Sequence, residues 1–186
     1  MTRYHTGPRG YNDQVHYGVT DVPPSERGVS KPADHATKFL QRQLSLPAAE
    51  ERQPWCCVAS YYEPNEAMIV GREAYSLYDP ASLRLPTNLH DELLDKPNIY
   101  RREAGIFSGL SEAEWREARA CYYGRITEVD EELGRLLAVL EEAGELEETI
   151  VIVTADHGKY VSCTLVGLVL NTLSVLDLLP YYYSNH

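Results

Sequence analysis

The sequence predicts an α/β fold, a partial parallel sheet flanked by helices. Three observations point there: an apolar run of strand length at 55–62, a second at 149–154, and between them a long helical repeat that starts at Ser111. A strand, a helix and a second strand in that order make a β-α-β unit, whose strands lie parallel in one sheet.

Residues 1–30 predict loop, because Gly7, Pro8, Gly10, Gly18, Pro23, Pro24 and Gly28 interrupt any long element. Ser30 and Pro32 then mark a helix start, proline being tolerated in a first turn. Ala36, Phe39, Leu40 and Leu44 follow at helical spacing, so a short amphipathic helix is expected over 32–45, stopped by Pro47.

After Pro54, the run Trp55-Cys56-Cys57-Val58-Ala59-Ser60-Tyr61-Tyr62 is apolar throughout and predicts a buried, parallel strand. Glu63-Pro64-Asn65-Glu66 ends it as a turn. The stretch 67–109 holds Pro80, Pro86 and Pro97 and shows no clear period. A long irregular excursion of this kind predicts functional surface rather than core.

The strongest element follows. Ser111-Glu112-Ala113-Glu114 is a capping box. Trp115, Ala118, Tyr122, Ile126, Val129, Leu133, Leu136, Leu137 and Leu140 recur three or four residues apart, one face of a long helix, and Gly144 supplies its stop. From 111 to 148 twelve acidic residues stand against four Arg, which predicts a solvated face. Thr149-Ile150-Val151-Ile152-Val153-Thr154 is β-branched and predicts a buried strand. Ala155-Asp156-His157-Gly158 comes directly after it. Ligands of open α/β sheets bind at the carboxyl ends of strands, so Asp156 and His157 stand out by position as well as identity.

Composition limits the partners. The chain has 186 residues and a formal net charge of −11, with 28 Asp and Glu against 17 Lys and Arg. A negative surface repels nucleic acid and anionic membranes, so neither is expected as a partner. Four Cys in a chain of this length make no disulfide scaffold, and no C-x-x-C pair suggests a zinc or thioredoxin-type site. The first residues lack the apolar centre of a signal peptide, and the compartment stays open. The Gly- and Pro-rich opening leads to the expectation that sequence upstream is missing.

A carboxylate and an imidazole on one tight turn could share a cation. Carboxylate oxygen suits hard ions, and imidazole leans toward Mn, Zn or Fe. Taken alone, Asp-His-Gly is better read as a capping turn, and two ligands hold a divalent ion weakly. Arg3-Tyr4-His5-Thr6-Gly7 could bind an oxyanion, the guanidinium by a fork and the imidazole as donor. A loop histidine near a terminus is more often solvent-exposed and idle. Glu63 and Asn65 follow the first predicted strand as the Asp-His pair follows the second. His16, His35 and His90 lack ligand spacing and are expected at the surface.

The stretch Cys121-Tyr122-Tyr123-Gly124-Arg125-Ile126-Thr127-Glu128-Val129-Asp130, with its continuation to Gly134-Arg135-Leu136-Leu137 and then Ile150-Val151-Ile152-Val153-Thr154-Ala155-Asp156-His157-Gly158, resembles the sulfatase family of the alkaline phosphatase superfamily. Arg3 to Gly7 looks like that family's Gly-Lys-Trp-His-Leu-Gly segment. Val58 to Asn65 looks like its strand ending in a Pro-His pair, with Asn65 at the histidine. The likeness covers about residues 3–160, as a sulfatase-like domain fragment (1–160) followed by an atypical apolar tail (161–186).

The resemblance implies an alkaline-phosphatase/sulfatase-like fold and metal-dependent hydrolysis of a sulfate ester, small-molecule or glycan. It implies a divalent cation, usually calcium, with manganese as the alternative, held by Asp156 and His157. It implies that His5 contacts the sulfate or the leaving oxygen, that Arg3 stabilises the anionic sulfuryl group, and that Asn65 binds substrate. The family's nucleophile is a formylglycine made from Cys or Ser in C/S-x-P-x-R. No such motif occurs in these 186 residues, so formylglycine is not possible in this chain, and the chain is expected to be inactive alone. Asn65 can donate a hydrogen bond but no proton at neutral pH, and Arg3 for Lys keeps charge while changing geometry. A phosphonate or phosphodiester hydrolase of the same superfamily is the alternative, favoured by His157 in place of Asn. A non-catalytic chain that binds a partner is the third reading.

The tail 161–179 is apolar and nearly long enough to span a bilayer, but Asn171 and Asp177 interrupt it. A carboxylate at mid-membrane costs roughly 2.5–3.5 kcal/mol on insertion scales, so no membrane partner is expected.

Overall fold

A computed structural model describes residues 4–6, 15–46, 53–65 and 67–156. The tail 161–186 and residues Arg3 and His157 lie outside them. Three strands form one sheet in the order β1-β2-β3. Strand β1 (Tyr4–Thr6) pairs antiparallel with β2 (Val15–Thr20), and β2 pairs parallel with β3 (Met68–Gly71). The parallel register runs from Tyr17 opposite Met68 to Thr20 opposite Gly71. Helix α1 (Lys31–Leu44), the short α2 (Arg72–Ser76), α3 (Asn98–Phe107) and the long α4 (Glu112–Glu142) complete the order.

The α/β class and the helical flanking are as expected, but the strands are different ones. The loop predicted over 1–30 contains β1 and β2, and the excursion predicted over 67–109 contains β3, α2 and α3. These elements are three to ten residues long, too short for a period to emerge from the sequence. Conversely, 55–62 and 149–154 form no strand. Val58 is 84% exposed and Ile150 90%. An apolar strand is stable only where neighbours pair its edges and cover its faces, and a single extended segment meets neither condition.

The core explains which strands form. Tyr17 and Val19 of β2, Met68 and Val70 of β3, Ala74 of α2, and Ala118 and Cys121 of α4 make one buried cluster. Full burial of a side chain such as Val70 is worth about 1.5–3 kcal/mol. Helix α4 can come this close because of Gly124: a Cβ there would meet Val70 Cγ2 at 2.7 Å and the Ala74 carbonyl at 3.3 Å. A second contact pins α3, where Phe107 stacks between His16 (5.1 Å, edge-on) and Trp115 (5.9 Å). His16 is buried, not at the surface as its polar neighbours suggested.

Both predicted helices form within a residue or two of expectation. Helix α1 covers Lys31–Leu44, and α4 starts on a complete capping box in which Ser111 and Glu114 each accept from the other's backbone. The buried stripe of α4 is the surprise. It runs Ala118, Cys121, Arg125, Glu128, Glu132, one position ahead of the apolar repeat, while Ile126 is 43% exposed. The acidic residues of this helix are therefore not all a solvated face.

Candidate functional site

The charged stripe of α4 sits in a built environment. Glu128 is 2% exposed. It accepts two hydrogen bonds from Arg27, at 2.9 and 2.5 Å, and one from the Gly71 N–H at 2.7 Å. Gly71 ends β3, so Glu128 ties the carboxyl end of a parallel strand to α4 and to the turn before α1. One helical turn earlier, Arg125 forms an ion pair through Nη2 with Glu63 Oε1 at 3.0 Å and donates through Nη1 to the carbonyls of Ala67 (3.1 Å) and Ile69 (2.9 Å). Burial pulls the Arg125 guanidinium below its usual range, and the nearby Glu63 and Glu128 carboxylates oppose that pull. Glu132 pairs with Arg135, which also reaches Asp34 of α1 at 2.9 Å. Burial raises Glu132, and Arg135 offsets part of the rise. The same guanidinium holds the exposed Asp34 carboxyl below its usual range.

The predicted site residues come from three stretches. Asn65 is exposed on the turn after 55–62, its N–H donating to the Tyr62 carbonyl at 3.1 Å, directly beside the Arg125 clamp. Asp156 is exposed at the end of 149–156, past the stop at Gly144, whose φ of 68° is the left-handed value glycine adopts freely. His5 belongs to the edge strand β1 rather than to a loop, between the pairs Tyr4–Gly18 and Thr6–Val15. Arg3 and His157 fall outside the described residues. Among the described residues, no group of three or more His, Cys, Asp and Glu could hold a metal ion.

Of the four residues with the most developed geometry, sequence reasoning noted Glu63 for its place after the first predicted strand and missed the roles of Arg27, Arg125 and Glu128. The signal was present, since Arg125 and Glu128 continue the three-and-four spacing of Ala118 and Cys121. Charged residues at core positions are usually paired, and the partners lie about 60 and 100 residues away in sequence. Cys121 sits in the same stripe. Its thiol lies 3.8 Å from the Gly18 carbonyl, and burial, with Glu117 nearby, pushes it up to about 12. No described helix is long and apolar enough to cross a membrane.

The family model described as "Sulfatase" matches residues 11–168. The match reaches eight residues beyond 160, into the apolar stretch. The chain is 29% identical over 157 residues to a protein named "Multifunctional alkaline phosphatase superfamily protein PehA" from Trinickia caryophylli, covering 76% of this chain and 30% of that one. It is 27% identical over 154 residues to an "Arylsulfatase" from Clostridium perfringens, covering 81% and 28%. It is 25% identical over 114 residues to a "Choline-sulfatase" from Rhizobium meliloti, covering 59% and 22%. The chain therefore spans less than a third of the length of these relatives.

Proposed function

The chain belongs to the sulfatase family, and from that premise we propose that it carries part of a sulfuric ester hydrolase. The observation that supports this reading best is the family match over 11–168, which includes both the Tyr-Tyr-Gly segment of α4 and the Asp-His-Gly sequence. The substrate would be a small-molecule or glycan sulfate ester, in keeping with relatives named as arylsulfatase and choline-sulfatase.

Sulfate ester hydrolysis builds negative charge on the sulfuryl oxygens, so the site needs fixed positive groups aimed at them. In this reading Arg3 supplies a guanidinium to the sulfuryl group, and His5 donates to the sulfate or to the leaving oxygen. Asn65, exposed on its turn, donates a hydrogen bond to substrate. Asp156 and His157 would hold a divalent ion, calcium or manganese, which neutralises charge when bound. Two donors do not complete its shell, so the remaining ligands, like the nucleophile, have to be supplied by other residues. That is why the chain is expected to be inactive alone.

Two other readings remain open to test. A phosphonate or phosphodiester hydrolase is favoured by His157 and by the 76% coverage against the multifunctional relative. A non-catalytic partner-binding chain is favoured by the exposed apolar run at 149–154. Comparing sulfate and phosphate diester substrates separates the two hydrolases, and calorimetric titration of calcium and of manganese into wild type and Asp156→Ala separates both from the non-catalytic reading. Binding to wild type that is lost in the variant supports the hydrolase site. Equal heats in both remove the ligand assignment, and turnover of an arylsulfate by the purified chain removes the expectation of inactivity.

A further inference from the structure

Asn65 is exposed, yet the chain on both sides of it is tied to one buried side chain, through the Glu63 carboxylate before it and two backbone carbonyls after it. The guanidinium of Arg125 reaches Glu63, two residues before Asn65, and the carbonyls of Ala67 and Ile69, two and four residues after it. The contact to Glu63 is an ion pair with side chains only 8% and 11% exposed. We propose that Arg125 is a positioning residue for Asn65: a clamp rooted in α4 that sets where the turn after 55–62 presents its exposed amide.

The physical case rests on cost and geometry. A buried ion pair gains little net stability, because desolvation of both charges offsets their attraction. Its directional hydrogen bonds are what distinguish it from an apolar contact. Arginine offers five N–H donors in a rigid plane, so one side chain can grip a carboxylate and two carbonyls at fixed angles, which a lysine ammonium cannot. The root is firm as well. Arg125 projects from the part of α4 that Gly124 seats against Val70 and Ala74, and Glu128, one turn on, is tied to Arg27 and Gly71. The Nε of Arg125 is buried without a hydrogen-bond partner among the described residues, so its directional bonds are the two that Nη1 makes to the Ala67 and Ile69 carbonyls, while Nη2 stands in the ion pair with Glu63. A group that must meet a ligand has to be held in place by neighbours whose own positions are locked, and here the lock is visible.

The role of Asn65 in substrate binding rests on the function proposed above, but the clamp can be tested without any activity. The readout is residue-resolved amide hydrogen exchange on the full chain by NMR. The Asn65 N–H bonds to Tyr62 and the Ile69 N–H bonds to Ala67 at 2.8 Å, so both report on the turn. In Arg125→Gln these two amides should exchange faster by about tenfold or more, while the amides of Leu40 in α1 and Cys121 in α4 keep their rates. Arg125→Lys should fall between, and Glu63→Gln should loosen the same two amides alone. Equal acceleration at all four amides would make Arg125 a general stabiliser and overturn the proposal. Unchanged Asn65 and Ile69 rates, or amides already unprotected in wild type, would overturn it too. If Arg125→Gln fails to fold, Arg125→Lys and Glu63→Gln decide the matter. A confirmed clamp with Asn65→Ala leaving sulfate binding intact would sink the substrate reading and spare the clamp.

Discussion

Two short apolar stretches meet opposite fates. Met68-Ile69-Val70-Gly71 is strand β3, with Val70 fully buried; Ile150-Val151-Ile152-Val153 forms no strand, and its four side chains are 42–90% exposed. Strand preference cannot separate them, since the exposed run is the more β-branched of the two. The difference is in neighbours. Strand β3 has β2 along one edge, Gly124 of α4 against Val70, and Arg125 and Glu128 satisfying backbone groups of Ala67, Ile69 and Gly71. A sheet strand is made by the groups that cover it and complete its hydrogen bonds, and its own residues only permit it.

That contrast can be broken or sharpened by substitution. The largest effect is expected at Glu128. Replacing it with Ala leaves the Arg27 guanidinium and the Gly71 N–H buried and unpaired, and breaking a buried pair costs about 3–5 kcal/mol. Urea unfolding of Glu128→Ala checks this, and a loss near zero would mean the polar ties do not hold β3. Gly124→Ala comes next. Overpacking against Val70 and Ala74 costs roughly 1–3 kcal/mol, against a helix-propensity gain of about 1 kcal/mol, so the net change is a smaller loss. A gain in the unfolding midpoint would show that α4 lies farther from β3. The smallest effect is expected at Ile152→Thr, under about 0.5 kcal/mol, as for surface substitutions generally. A loss of several times that size would place the run in a buried setting and dissolve the contrast.

How much was legible follows the same division. Helices α1 and α4 were readable because a helix closes its own hydrogen bonds: the capping box, the spacing of Ala36 and Leu40, and the stop at Gly144 are all local. The strands were not, because pairing is decided by partners far along the chain. His16 was misplaced for the same reason, since Phe107 lies 91 positions away (107 − 16). Asn65 was singled out from its place after an apolar run, although that run is no strand, and the structure puts it on an exposed turn. Arg125 and Glu128 were hidden because an acidic helix reads as solvated until its buried partners are known. The family likeness was carried by α4 and the Asp-His-Gly sequence, which the family match includes.

The thiol of Cys121 has a use beyond its place in the core. Because it is buried and pushed up to about 12, almost none of it is thiolate at neutral pH while the molecule is intact, and the nucleophile in alkylation is the thiolate. Modification of this one side chain can therefore proceed only through openings that lift α4 off β2. Read at Cys121 itself, since Cys56 is exposed and labels directly, its alkylation speed becomes a denaturant-free clock for that event.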